Sequence, residues 1–366
     1  MIKSKKVVVG MSGGVDSAVS AWLLKKAGYD VTGVILKLWE NVDEGEKGWG
    51  ERTCCHIPMV RYLCERIIGI PYIVVDAEKT FKNDVVEEFK AAYKNGETPN
   101  PCIACNESVK LPLLRKYAQE AGIPLVATGH YTTWKRSQDF KWTGLSIARD
   151  PSKDQSYFLS RTKGLERENT LFPIGSMTKG EVRILAESAG FPVAGLLENQ
   201  EACFISEKRV SSYMAQEETG KGQAAWTVKT IEGQEIGSIA SGVGLTRGQR
   251  RGLAIAGGRR LYVHTVDMGK KELLLSEKDE LLESAFWVRD PMGPLFDTER
   301  AHEGEIHVKF RSTMAPVPCR NQPGEKAHFS LSVPHDGIVE GQVAAFYDKL
   351  NVLVGSGIIT RKGLSN

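Results

Sequence analysis

The sequence predicts an α/β fold, a parallel sheet with flanking helices, followed by two small β-rich domains. Three observations carry the prediction. Over roughly the first 130 residues, short apolar runs alternate with amphipathic stretches, as βαβ units do. A turn of small residues, Gly10-Met11-Ser12-Gly13-Gly14, joins the first apolar run to the first amphipathic stretch. After about residue 215, helical periodicity fades, and short alternating runs separated by Gly, Pro and Asp replace it.

The elements follow in order. Val7–Val9 reads as a buried strand, and Ser17–Ala27 as a helix stopped by Gly28. Val31–Leu38 is a second strand, Pro58–Ile68 a helix ended by Gly69, and Tyr72–Val75 a third strand. Phe81–Lys94 and Val109–Ala121 read as helices, and Leu125–Thr128 as a fourth strand. In parallel sheets ligands bind beyond the carboxyl ends of the strands. Residues 151–210 read as mostly helical, over Gln155–Ser160, Thr178–Ala189 and, just beyond, Ser211–Gln216. Strands are expected at Ala225–Thr230, Gly237–Ile239, Leu261–Val266, Ile306–Arg311 and Gln342–Asp348. A polar stretch near 275–284 reads as a hinge, so the expected domains are the parallel-sheet domain with a helical extension at 1–210, a central β-rich domain at 211–280 and a C-terminal β-barrel at 281–366.

Composition narrows the class. The 366 residues are 41% hydrophobic and 25% charged, with a net charge of +3, which excludes a disordered or collagen-like chain. No run approaches the roughly 18 apolar residues of a membrane span. Met1-Ile2-Lys3-Ser4-Lys5-Lys6 leads straight into the first strand, with no apolar signal region. A cytoplasmic location is expected, with the 7 Cys mostly reduced. Charge is local rather than global. Arg247, Arg250, Arg251, Arg259, Arg260, Lys270 and Lys271 stand against the single acid Asp267 between 242 and 271, a footprint suited to RNA.

The run Gly10-Met11-Ser12-Gly13-Gly14-Val15-Asp16-Ser17 opens the first helix. Small residues let successive N–H groups face one anion, the helix N-terminus adds its dipole, and Ser12 and Ser17 add hydroxyls. Asp16 is the candidate for holding a phosphate-bound Mg²⁺. No Lys follows the glycines, so this is not the loop of enzymes that cleave the γ-phosphate. It resembles the PP-loop of N-type ATP pyrophosphatases, which implies ATP and Mg²⁺ as ligands and the PP-loop fold for the first domain.

Further segments sharpen that resemblance. Thr98-Pro99-Asn100-Pro101 with Cys105-Asn106, Ala127-Thr128-Gly129-His130-Tyr131, Lys153-Asp154-Gln155-Ser156-Tyr157-Phe158-Leu159 and Leu171-Phe172-Pro173-Ile174-Gly175 are similar to segments of bacterial tRNA 2-thiouridylases, the MnmA family. So are Cys203-Phe204-Ile205, Gly248-Gln249-Arg250-Arg251-Gly252-Leu253, Val308-Lys309-Phe310-Arg311-Ser312, and Gly341-Gln342 with Phe346-Tyr347-Asp348. The resemblance spans the chain in the family's order. It implies ATP-dependent 2-thiolation of the wobble uridine of tRNA, by adenylation of the C2 oxygen and then sulfur transfer. It implies tRNA and a sulfur-donor protein as partners, with no membrane and a monomer favoured. Cys105 and Cys203 would be the catalytic pair, Cys203 carrying a persulfide and Cys105 attacking it, with release of sulfide or closure of a disulfide. Gly10 to Ser17, with Leu36 and Gly129 at or just beyond strand ends, would bind ATP. Asn100, Pro101, Cys102, His130, Lys153, Asp154, Gln155, Arg311, Ser312 and Gln342 would meet the tRNA.

Two departures matter. Cys102 stands where the family typically has Asp, giving Cys102-Ile103-Ala104-Cys105, and the run before Cys203 reads Leu197-Glu198-Asn199-Gln200-Glu201-Ala202. Cys102, Cys105 and Cys203 are therefore also candidate ligands of a [4Fe–4S] cluster whose open iron binds hydrosulfide. Persulfide and cluster routes both stay open. Cys54-Cys55 reads as structural or incidental, and Cys64 and Cys319 carry no signal. The competing functional readings are a PP-loop enzyme using a nitrogen nucleophile, and a non-catalytic RNA-binding or redox-sensing protein.

Overall fold

The computed structural model describes residues 5–39, 57–192, 203–205, 210–217, 225–253, 260–297, 306–322 and 327–360. Cys54, Cys55, Arg259 and 197–202 lie outside the described residues. Strand β1 (Lys6–Gly10) is the centre of a five-stranded sheet. It pairs in parallel with β2 (Asp30–Lys37) on one side, and β2 pairs with β3 (Tyr72–Asp76). On the other side it pairs with β4 (Leu125–Ala127). A short hairpin follows, β5 (Thr133–Arg136) with β6 (Thr143–Ser146), and then β7 (Thr170–Leu171) pairs in parallel with β4. The order is β3-β2-β1-β4-β7. Strand order therefore reverses between β1 and β4, and at such a point a crevice opens outside the carboxyl ends.

The sheet is apolar on both faces, because helices cover both. Val7, Val9 and Ile35 belong to one cluster with Ala18 and Val19 of helix α1 (Val15–Lys26) and Val182 of a later helix. Val8, Val34 and Val126 belong to the opposite cluster with Phe81, Phe89 and Val109. Expected helices appear with local widening. Helix α2 (Ile57–Tyr62) continues as a π turn over Leu63–Ile68. Helix α3 (Glu78–Phe81) runs through a π turn over Lys82–Glu87 into α4 (Glu88–Lys94). Helix α5 (Pro101–Ala104) leads into a π turn over Cys105–Lys110 and then α6 (Leu111–Glu120). Pro112, just past that last turn, has no N–H to give an ordinary i−4 bond.

Residues 155–160 differ from the helical expectation. Only a 3₁₀ turn forms, over Tyr157–Leu159. Side-chain anchors override local propensity here: Asp154 accepts from the Ser156 N–H at 3.1 Å, and the Tyr157 hydroxyl reaches the Phe310 and Val343 carbonyls at 2.9 and 3.0 Å. Helix α7 (Lys179–Ser188) starts in a capping box between Thr178 and Glu181. Helix α8 (Val210–Glu217) follows.

Beyond it lies a four-stranded sheet of β8 (Trp226–Thr230), β9 (Glu235–Ile239), β10 (Tyr262–Asp267) and β11 (Glu272–Ser276), in the order β10-β11-β8-β9. A 3₁₀ turn over Asp279–Leu281 leads out of it. The last unit is a closed barrel of β12 (Glu283–Met292), β13 (Ile306–Lys309), β14 (Val317–Asn321), β15 (His328–His335), β16 (Val343–Asp348) and β17 (Leu353–Thr360), in the order β12-β15-β14-β13-β16-β17. Its interior packs Phe286, Phe310, Phe329 and Phe346. Closure removes free sheet edges. No helix among the described residues is long and apolar enough to cross a membrane.

Candidate active site

The glycine- and serine-rich loop leaves β1 at the reversal point. Gly13 has φ +87°, a conformation glycine adopts without strain. The Ser17 hydroxyl, at the start of α1, accepts from the Ser12 N–H at 3.2 Å and donates to the Gly14 carbonyl at 3.1 Å. Ser17 thus stays buried and braces the loop, while Ser12 and Gly14 stay exposed. Met11 and Val15 are buried anchors on either side. Gly129, just past β4, approaches the loop so closely that a Cβ there would lie 2.7 Å from the Asp16 carbonyl carbon and the Ser17 nitrogen. Glycine is therefore required where the two strand ends meet. Leu36 is buried near the carboxyl end of β2.

Asp16 faces a cation. Lys179, the first residue of α7, puts its Nζ 2.8 Å from both carboxylate oxygens. Tyr131 donates to the same carboxylate at 2.8 Å, and its ring lies 5.7 Å from the Lys179 Nζ. Lys179 is only 6% exposed. Sequence reasoning missed this lysine, because it lies 163 residues from Asp16. Its one signal was the Thr178…Glu181 capping pattern, which aims the helix N-terminus but says nothing of its target. Asp16, expected to hold Mg²⁺, is thus neutralised by protein before any metal arrives. Its carboxylate is the acidic side chain within the run Gly10 to Ser17, an oxygen donor of the kind such an ion takes.

His130 follows Gly129, and its Nδ1 lies 2.8 Å from the Thr128 Oγ1. Burial first, and the positive charge of Lys110 second, push its imidazole down to about 3. The ring is neutral at physiological pH and offers hydrogen bonds rather than charge. Gln155 clamps the next residue from two sides. Its side-chain oxygen accepts from the Tyr131 N–H at 2.9 Å, and its backbone N–H donates to the Tyr131 carbonyl at 2.8 Å. Lys153 sits half-buried in the adjoining 3₁₀ turn.

Asp154 departs from its expected RNA contact. It is 5% exposed, and its carboxylate is consumed by the Ala148 and Ser156 N–H groups, the Ser156 hydroxyl and the buried Lys309 ammonium. Lys309, Phe346, Tyr347 and Asp348, expected on tRNA-contacting strands, are buried too, because they form the barrel interior and its seam with the first domain. Of that group Arg311 is exposed, and Ser312, Gly341 and Gln342 are half-buried. Arg247 is likewise removed from the basic face. It is 7% exposed and binds the His264 and Leu281 carbonyls and the Glu283 carboxylate. Arg250, Arg251, Arg260, Lys270 and Lys271 remain exposed.

Two of the thiols, Cys102 and Cys105, lie in and just after helix α5. Asn100 caps it, its Oδ1 accepting from the Ile103 N–H at 3.2 Å, and Pro101 supplies the first helical residue. Gln342 reaches the Pro99 carbonyl, and Arg289 holds Glu97 at 2.7 and 2.8 Å, so the barrel grips the chain entering this helix. Cys102 is exposed, whereas Cys105 is 4% exposed at the start of the π turn. Cys203 is half-buried and packs against the cluster that contains Cys105. Burial pushes the Cys64 thiol up to about 11 and the Cys319 thiol to about 12, which leaves both inert. Among the described residues no group of three His, Cys, Asp or Glu side chains converges to hold a metal ion. Cys102, Cys105 and Cys203 form no such group, and no step is routed through a cluster.

A parallel sheet with a glycine- and serine-rich loop at its reversal point defines the first class, a PP-loop domain, here joined to β-rich units. Residues 5–207 match the family described as tRNA methyl transferase HUP domain, and 283–359 the aminomethyltransferase beta-barrel domain. The tRNA-specific 2-thiouridylase MnmA of Geotalea uraniireducens (strain Rf4) is 36% identical over 97% of this chain and 95% of its own. The enzyme of the same name from Geobacter metallireducens is 37% identical over 97% and 96%. A solved 4-thiouridine synthetase–RNA complex with bound ATP overlaps with a TM-score of 0.34 and 16% identity, over 58% of this chain and 50% of that one. The chain belongs to the MnmA family of tRNA-specific 2-thiouridylases, and it is an enzyme of the sulfurtransferase class.

Proposed function

We propose that this protein thiolates the wobble uridine of tRNA at C2, at the expense of ATP. The full-length likeness to the 2-thiouridylases carries the reading. The loop and its Lys179–Asp16 pair support the chemistry. A uracil C2 oxygen is a poor leaving group. Its attack on the ATP α-phosphorus expels pyrophosphate and makes the oxygen part of AMP. Gly13, Gly14 and Ser12 hold the phosphates, and Lys179 lies beside the negative charge that grows on the departing pyrophosphate. Mg²⁺, when bound beside Asp16, adds charge neutralisation on the phosphate oxygens.

Sulfur comes from a donor protein as a persulfide on Cys203. The terminal sulfur adds to C2. The Cys105 thiolate then attacks the Cys203 sulfur, the S–S bond breaks, and its electrons stay on the sulfur bound to C2. AMP leaves as the thiocarbonyl forms, and an external thiol reductant reopens the Cys105–Cys203 disulfide. Packing of both cysteines on one apolar cluster supports the pairing. Exposed Cys102, at the N-terminal turn of α5, is read as a surface residue facing the RNA. His130, Lys153, Gln155, Arg311, Ser312, Gln342 and the Arg250–Arg251 turn are read as the RNA side, with Leu36 and Gly129 on the nucleotide side. The domain division 1–210, 211–280 and 281–366 belongs to the same proposal, supported by the two matched ranges. Nucleoside mass analysis of tRNA incubated with the protein, ATP, Mg²⁺ and a persulfide donor tests it. The reading requires 2-thiouridine at position 34 and one AMP per thiolation, and their absence overturns it.

A further inference from the structure

The thiolation chemistry leaves a buried ion pair unused. Lys309 and Asp154 meet at 2.9 Å with side-chain exposures of 3% and 0%. One partner ends barrel strand β13, and the other lies in the turn after Asp150. We infer that Lys309 is a positioning residue: the Lys309–Asp154 pair couples engagement of RNA at the Arg311–Ser312 turn of the barrel to the arrangement of the ATP loop. The inference rests on the proposed function.

The links are contiguous. Lys309 is two residues from exposed Arg311, and the intervening Phe310 carbonyl accepts from the Tyr157 hydroxyl at 2.9 Å. The Asp154 carboxylate takes Lys309 on one oxygen, and its contacts with the Ala148 and Ser156 N–H groups tie that charge to both ends of the 148–156 segment. Ser156 is also within 3.0 Å of the buried Tyr347 hydroxyl of the barrel. The neighbouring Gln155 clamps Tyr131 through two hydrogen bonds, and the Tyr131 phenol binds the Asp16 carboxylate that holds Lys179. From the same segment Asp150 accepts the Lys179 N–H at 3.1 Å, so α7 is registered on it as well. A displacement that reaches the buried Phe310 at the start of the 310–312 turn is passed to its contacts, because close-packed interiors transmit strain rather than dissipate it. A charge pair stripped of water is also less tolerant of stretching than a solvated one. Contiguity supplies the route, and the coupling itself is a free energy shown by binding.

Linkage defines the test. If the two sites are coupled, nucleotide tightens tRNA by the factor by which tRNA tightens nucleotide. The dissociation constant of a tRNA transcript with uridine at position 34 is measured on the full chain, with and without saturating α,β-methylene ATP. In the wild type, a ratio on the order of tenfold is expected, ordinary for coupled sites. In Lys309→Met the ratio falls to about one, while the nucleotide affinity measured alone stays within about threefold. A merely structural role would weaken binding and leave the ratio. Lys309→Met leaves Asp154 charged and buried, so Lys309→Met with Asp154→Asn is the companion. It removes both charges yet keeps an acceptor for the Ala148 and Ser156 N–H groups, and the same collapse of the ratio is expected in the folded double variant. A wild-type ratio of one, or a ratio unchanged in either folded variant, overturns the inference. Failure of the wild type to bind the nucleotide analogue at all instead overturns the proposed function beneath it.

Discussion

Lys179→Met is the sharpest perturbation of the adenylation site. Methionine keeps most of the side chain's length and apolar stem and removes only the ammonium. Structurally the cost is small. Asp16 is about 30% exposed and keeps the Tyr131 hydroxyl, so the carboxylate left behind is rehydrated rather than stranded. A loss of about 1 kcal/mol in stability is expected, the scale of one net hydrogen bond, far below the about 3–5 kcal/mol for breaking a fully buried pair. Catalytically the cost is large. Removing one preorganised donor from developing negative charge costs roughly 10²–10³ in rate, or about 2.7–4 kcal/mol, and that scale is expected here. Pyrophosphate release from ATP in the presence of tRNA should fall by that factor, with the KM for ATP changing by less than about tenfold, because the backbone N–H groups of the loop and helix start remain. Lys179→Arg keeps the charge but not the compact ammonium, and recovers only part of the rate. Adenylation by Lys179→Met within about threefold of wild type would refute the placement of this lysine beside the phosphates.

Three further outcomes are expected. Arg250→Ala with Arg251→Ala should weaken tRNA binding and reduce the slope of log K against log salt by about one for each phosphate no longer neutralised, read by filter binding from low to high salt; an unchanged slope would make that turn a solvated face. Cys102→Ser should keep thiolation within about threefold, whereas Cys105→Ser and Cys203→Ser should abolish it, since only the latter two share an apolar cluster; equal loss in all three would restore the three-thiol route. His130 is held neutral with its pKa near 3, against an unfolded value of about 6.5. The unfolded chain therefore binds the extra proton between those values, and stability falls as pH drops through that window. Urea unfolding at pH 7.5, 6.5 and 5.5 should show His130→Gln losing about 1 kcal/mol less than wild type over the last step; parallel pH profiles would contradict the lowered pKa of the ring.

Periodicity alone determined much of the fold. Val7–Val9 and Val31–Leu38 are apolar on both faces and can only be interior strands of a helix-covered sheet, and the small-residue run between them has one sensible place. The order β3-β2-β1-β4-β7, and with it the reversal beside that loop, follows from which strands pair, not from any local run. The long barrel strands β12, β15 and β17 were not legible. The barrel pairs Trp287 with Thr360 and His328, positions far apart in the chain, and Gly355 and Gly357 in β17 read locally as breaks. The family's short motifs, Cys105 with Cys203 and the loop from Gly10 to Ser17, were visible because each is a dense local pattern.

What the tertiary structure alone decided is where charge goes. Asp154, Lys309 and Arg247 read in sequence as surface residues, because an ionised side chain normally stays in water. Each is buried, because a partner distant in sequence meets its charge: Lys309 for Asp154, and Glu283 with two carbonyls for Arg247. Lys179 stayed hidden for the same reason, since a lysine at a helix start shows nothing of the aspartate 163 positions earlier that it neutralises. Local pattern records which groups prefer water, whereas the pairing that lets a charge leave water is a property of the folded chain alone.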